Sequence, residues 1–457
     1  MKSTSGAKTS EASLSRRFTS WRMLADTATV GGWTSIAKVA GAVKVILAAR
    51  LFGTGDAMDA YLIAFLLPSF FIDMLSSPLD SALIPTLIEV RENKGRAAAE
   101  SLYLSALAAA AIGFFGAALL AALTSGFFLP VLASGFEPAK LALTQQLLLL
   151  MIVVVPLNGI ACTWRAILNS EHRFAAAAAI PAITPVASIV ALLFGGKQYG
   201  VLALVIGTVT GGTLEAIAAG VGAKLSGYTI IPRWSGMSLA FRQVATQYTP
   251  LVAVTLVMTG SALVDQSMAA RLGSGSVAAL SYGTRLLGVL VVIGPTAVGT
   301  AVLPHISTAA VLAEPKALRR TLRTYGLFVL AVILPATAGL MYFSEPIVRV
   351  LFQKGAFSEQ AAQLVSAVQK ASLLQLPIAV LLALEVRLTS ALKVNRLLYN
   401  VAALSLILTF GFDMLFMRWL GVVGIAFAGG AARLVSSLYL SCKISTLRGA
   451  DYGFQSN

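Results

Sequence analysis

Long apolar stretches recur along the whole chain, and each is close to the length that a helix needs to cross a bilayer. An α-helix rises about 1.5 Å per residue, so about 20 consecutive apolar residues span the hydrocarbon core. Such stretches are predicted at residues 27–50, 59–88, 101–125, 143–164, 174–194, 201–225, 250–272, 278–303, 325–343, 362–384, 399–417 and 422–440. The connections between them are too short to hold a soluble domain.

Composition excludes the main alternatives to a membrane protein. Hydrophobic residues make up 57% of the 457 residues and charged residues only 12%, about half the charged share of an average soluble protein. Two cysteines are too few for a disulfide scaffold. The excess of 34 Lys and Arg over 19 Asp and Glu favours anionic lipid or an anionic substrate as partner. No basic stripe with interleaved aromatic residues supports nucleic-acid binding.

The distribution of basic residues predicts the orientation. With Lys224 and Arg271, at the ends of their spans, counted with the adjacent loops, 22 Lys and Arg lie on the side that holds both chain ends, six lie on the opposite side, and six lie inside spans. Basic loops face the cytoplasm in membrane proteins. Both termini are therefore expected in the cytoplasm. The first 26 residues are polar and basic and lack a signal-peptide pattern.

The two halves of the chain resemble each other. Three matches share an offset of 221 residues: residues 48–51 with 269–272, Tyr61 with Tyr282, and Pro156 with Pro377. This pattern predicts an all-α fold of about 12 transmembrane helices in two pseudo-symmetric six-helix lobes around a central cleft. The predicted organisation is an N-terminal cytoplasmic tail (1–26), an N-lobe (27–225), a cytoplasmic linker (226–248), a C-lobe (249–440) and a C-terminal cytoplasmic tail (441–457).

Three of the basic residues inside predicted spans are candidate site residues, and each costs about 2.5–3.5 kcal/mol at a helix centre on the insertion scale. They are Lys38 and Lys44 in the first span and Arg285 in the eighth. Such residues avoid lipid, so one hypothesis places them in a cationic cleft that binds a phosphate-bearing substrate. The alternative is snorkelling or ion pairing with Asp73 or Asp265. Helix geometry separates Lys38 from Lys44 by about 120°, which predicts a bend near Gly41 if both face one cleft.

Acidic residues form a second set. Asp265 in the seventh span and Asp413 in the eleventh, with Thr409 one turn before Asp413, have the oxygen atoms that a small cation prefers. The alternative is a buried ion pair with Arg271 or Arg433. No cofactor is expected beyond a bound sodium ion or proton.

Patterns for catalysis or for a metal centre are weak. His172 and His305 lie at the ends of predicted helices without Cys or carboxylate at metal-binding spacing. Residues 53–55 begin like a dinucleotide fingerprint but follow a helix and lack its third glycine. We therefore predict no catalytic residues, no metal ligands and no enzymatic activity.

Several motifs, in order along nearly the whole chain, resemble the MurJ/MviN family of lipid flippases. They lie at residues 38–44, 49–55, 59–60, 64–68, 84–85, 167–169, 173–174, 273–277, 285–286, 299–304 and 351–357. The resemblance implies the fold of the multidrug/oligosaccharidyl-lipid/polysaccharide exporter superfamily, with two lobes that move by alternating access. It also implies a polyprenyl pyrophosphate-linked sugar as substrate, for which lipid II, the peptidoglycan precursor, is the type case.

The resemblance also assigns site residues. Lys38, Lys44 and Arg285 fall on basic cleft positions of the family, and Asp59 falls on its acidic position at the start of the second span. The chain departs from the family pattern in two places: the paired Arg that usually follows the Leu-Pro of the second span is replaced near Ile72-Asp73, so one substrate-binding charge is missing, and Thr284 replaces a frequent Asp. The twelve predicted spans are also two fewer than in typical lipid II flippases.

Function therefore stays open between related alternatives. Lipid II is the lead substrate, and the precursor of an exopolysaccharide or O-antigen is the alternative. A cation-coupled drug exporter would favour an acidic cleft, and a non-transporting membrane scaffold is the remaining class. Enzymes of envelope-polysaccharide synthesis are the expected protein partners.

Overall fold

The computed structural model describes residues 5–291, 315–391 and 396–451, and every regular element in these ranges is a helix. The first half contains α1 (Ser5–Phe52), α2 (Asp56–Lys94), α3 (Arg96–Leu132), α4 (Pro138–Met151), α5 (Val154–Ser170), α6 (Phe174–Ala179), α7 (Ile183–Tyr199) and α8 (Leu202–Leu225). The second half contains α9 (Leu239–Ala270), α10 (Ser276–Gly283), α11 (Pro315–Tyr342), α12 (Ser344–Phe352), α13 (Glu359–Leu373), α14 (Gln375–Ala391), α15 (Arg396–Leu420) and α16 (Val422–Asp451).

Nine described helical segments are long and apolar enough to cross a membrane, and three of them join two labelled helices (α4 with α5, α6 with α7, and α13 with α14). The number is ten if the bent pair of α11 and α12 is one span. These ten correspond to ten of the twelve predicted spans. The first predicted span lies within α1. The eighth begins with the apolar helix Ser276–Val291, and its remainder lies outside the described residues. Large side chains such as Phe127 and Phe194, each more than 80% exposed, project from these helices as lipid-facing residues do.

The helix boundaries at two prolines support the predicted repeat. The fourth span is broken between α4 and α5, and the tenth is broken between α13 and α14. Pro156 is the third residue of α5, and Pro377 is the third residue of α14. The missing N–H of proline costs little in the first turn of a helix, where the N–H groups have no partner in the preceding turn. The two halves therefore share a local structure at the predicted offset of 221 residues.

Helix α1 is one continuous helix through the residue at which the sequence predicted a bend. It begins at Ser5, well before the predicted start of the first span, and has no break at Gly41. In a regular helix, Lys38 and Lys44 point about 120° apart. Their surroundings differ accordingly, because Lys38 is exposed and Lys44 is half-buried.

The chain divides into two compact units. Unit 1 comprises Met1–Leu47, Phe71–Ala122 and Leu149–Leu251, and unit 2 comprises Ala48–Phe70, Leu123–Leu148 and Val252–Asn457. Two short segments of the first half therefore pack with the second half of the chain in unit 2. The division into the predicted N-lobe and C-lobe stays a prediction.

Small residues allow close helix packing within unit 1. A Cβ atom added to Gly207 of α8 would lie 2.5 Å from the Cα atom of Ser188 in α7, and one added to Gly211 would lie 2.7 Å from that of Thr184. Neither distance leaves room for a side chain, so the glycine pair brings the two helix backbones together. Its role is structural.

Candidate functional site

Asp59, one of the predicted site residues, lies in unit 2 and is bonded by several hydrogen-bond donors. Its side chain is buried, and one carboxylate oxygen accepts hydrogen bonds from the Lys140 Nζ at 2.8 Å and the Gly275 N–H at 2.7 Å. The other oxygen accepts a bond from the Ala278 N–H at 2.8 Å. Asp59 of α2 thus caps α10 from a distant part of the sequence, and these donors compensate for the loss of its hydration.

Arg50, at the end of α1, makes a second set of contacts beside Asp59. Its guanidinium donates to the carbonyl oxygens of Leu351 at 2.9 Å and Val350 at 3.1 Å, and its own carbonyl accepts from the Ala356 N–H at 2.8 Å. Gly355 has a φ of +71°, and a Cβ atom there would overlap the Arg50 carbonyl oxygen. Only glycine allows this close backbone approach.

Aromatic packing completes this region, which we call the Asp59 junction (residues 50–59, 275–282 and 350–357, with Lys140). The buried Tyr282 ring lies 5.6 Å from that of Phe352 and 6.1 Å from that of Phe357, measured between centroids. The Tyr282 hydroxyl donates to the Gly53 carbonyl oxygen at 3.3 Å. The junction is therefore held by a buried charge, backbone hydrogen bonds and packed aromatic rings.

The three predicted basic residues belong to different units. Lys38 and Lys44 lie in unit 1 and Arg285 lies in unit 2. The side chains of Lys38 and Arg285 are exposed, and neither has a hydrogen bond or ion pair to another described residue. Asp73 likewise has no charged partner among the described residues, so it does not neutralise Lys38. The roles of Lys38, Lys44 and Arg285 in substrate binding stay predictions.

The predicted acidic pair is brought together inside unit 2. The carboxyl groups of Asp265 and Asp413 are in contact, although they lie on α9 and α15. One Asp265 oxygen and both Asp413 oxygens are buried without a hydrogen-bond donor among the described residues. Two carboxylates repel each other unless a proton or a cation lies between them. Thr409 is also buried, one turn from Asp413.

Arg433 lies near the acidic pair but does not form the ion pair that the sequence left open as the alternative. Its charge acts on Asp265, but its guanidinium donates a hydrogen bond to the side-chain oxygen of Gln375. No ion pair between Arg433 and either Asp occurs among the described residues. The acidic pair therefore keeps oxygen atoms that a cation or proton can use.

Sequence reasoning missed the partners of several charges. Lys140, which lies between the third and fourth predicted spans, is the cation that Asp59 and Asp56 share. In unit 1, Arg165 forms a 2.5 Å ion pair with Glu215. The available signal was the presence of isolated charges within or next to apolar stretches, since such charges need partners.

A network of smaller polar groups lies beside that ion pair in unit 1. The Thr184 hydroxyl donates to Glu215 at 2.7 Å, and the buried Cys162 thiol donates to Asp80 at 3.2 Å. These side chains come from four helices. Because each partner lies on another helix, the network has a structural role that no local motif could indicate.

Comparison with solved structures identifies the class of this fold. A lipid II flippase MurJ in an inward closed conformation superimposes with a TM-score of 0.77 at 20% identity, covering 91% of this chain and 87% of that one. An inward-facing multidrug resistance MATE family transporter of the MOP superfamily superimposes with a TM-score of 0.71 at 13% identity, covering 90% of this chain and 96% of that one. The chain is thus a polytopic α-helical membrane protein with the fold of these transporters.

Sequence comparison identifies the family. The family model described as Lipid II flippase MurJ matches residues 48–448, and the chain belongs to this family. Lipid II flippase MurJ of Burkholderia cenocepacia is 27% identical over 358 residues, covering 74% of this chain and 67% of that protein. The probable lipid II flippase MurJ of Vibrio cholerae is 27% identical over 356 residues, covering 74% of this chain and 66% of that protein. The chain spans about two thirds of the length of these relatives.

Asp59→Asn is expected to loosen the Asp59 junction. The change removes the charge that faces Lys140 and turns one of two acceptor oxygens into an N–H donor. Breaking a buried charge pair costs about 3–5 kcal/mol, so the thermal unfolding midpoint of the purified protein should fall clearly.

Asp56→Asn is the matched control, because Asp56 contacts the same lysine but its side chain is 62% exposed. An exposed ion pair contributes about 1 kcal/mol or less. Equal losses in the two variants, or no loss in Asp59→Asn, would contradict the assigned role of Asp59.

Proposed function

We propose that this protein is an alternating-access flippase that moves a polyprenyl pyrophosphate-linked sugar from the inner to the outer leaflet of the bacterial inner membrane. The main supporting observation is that Lys38 and Arg285, inside predicted spans, have exposed side chains without partners among the described residues. A charge facing lipid would cost about 2.5–3.5 kcal/mol. A hydrated surface removes that cost and leaves the charge free to bind an anion.

The pyrophosphate is the group that these residues suit. Arg285 offers a two-pronged contact to phosphate oxygens, whereas Lys38 and Lys44 offer compact point charges. Lipid II is the lead substrate, because the curated relatives are named as lipid II flippases. Asp59 is included in the predicted substrate set, although its oxygens bond to protein groups in this conformation.

A different lipid-linked oligosaccharide is the second candidate. The family pattern places a basic Arg near the position where this chain has Ile72 and Asp73, and the Asp73 side chain is exposed. A carboxylate at this position repels a phosphate rather than binding it. The observation favours a sugar precursor other than lipid II, such as that of an exopolysaccharide or O-antigen, carried by the same mechanism.

Transport without chemical conversion of the substrate needs no catalytic group, and enzymes of envelope-polysaccharide synthesis would supply and consume the lipid-linked sugar.

Arg285→Ala is expected to abolish transport of a labelled lipid-linked sugar in proteoliposomes while leaving membrane insertion intact. The substitution removes an anion-binding group and also removes an insertion cost. Arg285→Glu should be worse, because it repels the pyrophosphate.

Lys38→Arg and Lys44→Arg serve as controls that keep the charge and should retain transport. Protein amount in the vesicles is measured in parallel. Near-normal transport by the triple alanine variant of Lys38, Lys44 and Arg285 would exclude this mechanism. Transport of one precursor and not the other by the unaltered protein separates the two candidate substrates.

The proposed orientation, with both termini in the cytoplasm, is tested by thiol labelling. Cysteines replacing the exposed Ser134 and Gln198 should react with an impermeant reagent added outside the cell, and one replacing Asn93 should react only after permeabilisation. The exposed native Cys442 is first changed to Ser, and the buried Cys162 can remain. The opposite labelling pattern would reverse the topology.

Coupling to sodium or a proton at Asp265 and Asp413 is part of the proposal. Their oxygens, which have no hydrogen-bond donor in the part of the chain that the structure describes, fit a cation, which prefers oxygen ligands. Sodium should therefore raise the thermal unfolding midpoint through binding to the folded state, and Asp265→Asn should remove this effect.

The exposed Asp73 provides the control for coupling, since Asp73→Asn should leave the sodium effect unchanged. Stabilisation by sodium that survives Asp265→Asn would rule out sodium at this pair. A proton would instead be indicated if stability and transport depended on pH and not on sodium.

A further inference from the structure

The segment that connects α8 and α9 is fixed to unit 1 although it is not helical. The Tyr103 hydroxyl donates to the Thr229 carbonyl at 3.0 Å, and the Ser105 hydroxyl donates to the Gly236 carbonyl at 3.1 Å. The Arg96 guanidinium donates to the Ser226 carbonyl at 2.6 Å. These bonds hold the two ends and the middle of the connection against α3.

Tyr228 is the side chain that attaches the segment most firmly. Its ring is buried, packs edge-to-face on Tyr103 with 5.6 Å between centroids, and lies 5.0 Å from the Arg96 guanidinium. Its hydroxyl donates to Glu171 at 2.8 Å. Burial and this hydrogen bond raise the pKa of Tyr228 to about 12, so the phenol stays protonated and remains a donor.

The other side chains of this region present an apolar surface to the surroundings. Five large apolar residues are exposed by half or more of their area: Leu225 (70%), Ile231 (59%), Trp234 (55%), Met237 (71%) and Leu239 (80%). The Trp234 ring packs edge-to-face on that of Phe241, 5.3 Å away, which fixes its position. Because α8 and α9 are both apolar enough to cross a membrane, the segment that joins their ends lies near a bilayer surface.

Positive charge accompanies these apolar residues. Lys224, Arg233 and Arg242 are exposed, and the sequence contains no acidic residue between Glu215 and Asp265. Arg242 lies in the first turn of α9, where the helix dipole is also positive, and that turn contains no acidic residue. An anion near this turn would relieve that unfavourable arrangement.

We propose that residues 224–242 form a binding surface for anionic phospholipid headgroups. Lys224, Arg233 and Arg242 contact the phosphates, while Trp234 and the neighbouring apolar side chains enter the upper part of the acyl layer. This combination of basic and apolar side chains suits an interfacial segment. An acidic protein surface is less suitable, because it would leave the exposed apolar side chains in water. In the proposed orientation the leaflet is the inner one.

The test uses the full-length protein with a polarity-sensitive fluorophore on Ser235→Cys, in the Cys442→Ser background. The protein in detergent is titrated with short-chain phosphatidylglycerol and, separately, with phosphatidylcholine. Phosphatidylglycerol should give a saturable blue shift at lower concentration. Each basic residue near an anionic surface contributes about a fivefold change in affinity, so Arg233→Gln and Arg242→Gln should each weaken binding about fivefold.

Arg418→Gln is the matched control, because Arg418 is also exposed beside an exposed tryptophan, Trp419, but lies at the end of α15. It should leave the titration unchanged, and unchanged thermal midpoints will show that the variants are folded. Equal affinity for the two lipids, or no effect of the double Arg233→Gln, Arg242→Gln variant, would overturn the proposal. Tighter binding of soluble polyglutamate than of phosphatidylglycerol would also overturn it and assign the surface to an acidic protein.

Discussion

The arrangement of unit 2 depends on the buried carboxylate of Asp59. A charge without water is stable only if donors surround it, and here α4 supplies Lys140 while the start of α10 supplies two backbone N–H groups. These donors come from distant parts of the chain. The hydrogen bonds to this one carboxylate therefore fix where α2, α4 and α10 meet. Nearby, the end of α1 approaches α12, and Arg50 donates to two backbone carbonyl oxygens there.

The charges inside this membrane protein fall into two groups by their surroundings. Asp59 and the Arg165–Glu215 pair are compensated by protein groups, and they hold helices together. Lys38 and Arg285 are exposed without such compensation among the described residues. A membrane protein retains uncompensated charges at a cost, so their presence supports a role in binding an ion or a charged headgroup.

Much of the fold was predictable because it depends on local composition. Ten of the twelve predicted spans correspond to helices that can cross a membrane, and the family resemblance is confirmed by the match over residues 48–448. The prolines at positions 156 and 377 indicated the repeat, and both lie in the first turn after a helix break. A helix boundary is decided by a few neighbouring residues, which a sequence shows directly.

By itself, the sequence determined a polytopic helical protein, its family and the charges that need partners, since apolar length and residue type are local properties. Only the tertiary structure decided which partners those charges have. Lys140 lies 81 residues from Asp59 and Gly275 lies 216 residues from it, so no spacing rule connects them. The contact between Asp265 and Asp413 likewise requires two helices to pack side by side. Such pairs are set by the packing of whole helices, because each carboxylate must reach its partner through space rather than along the chain.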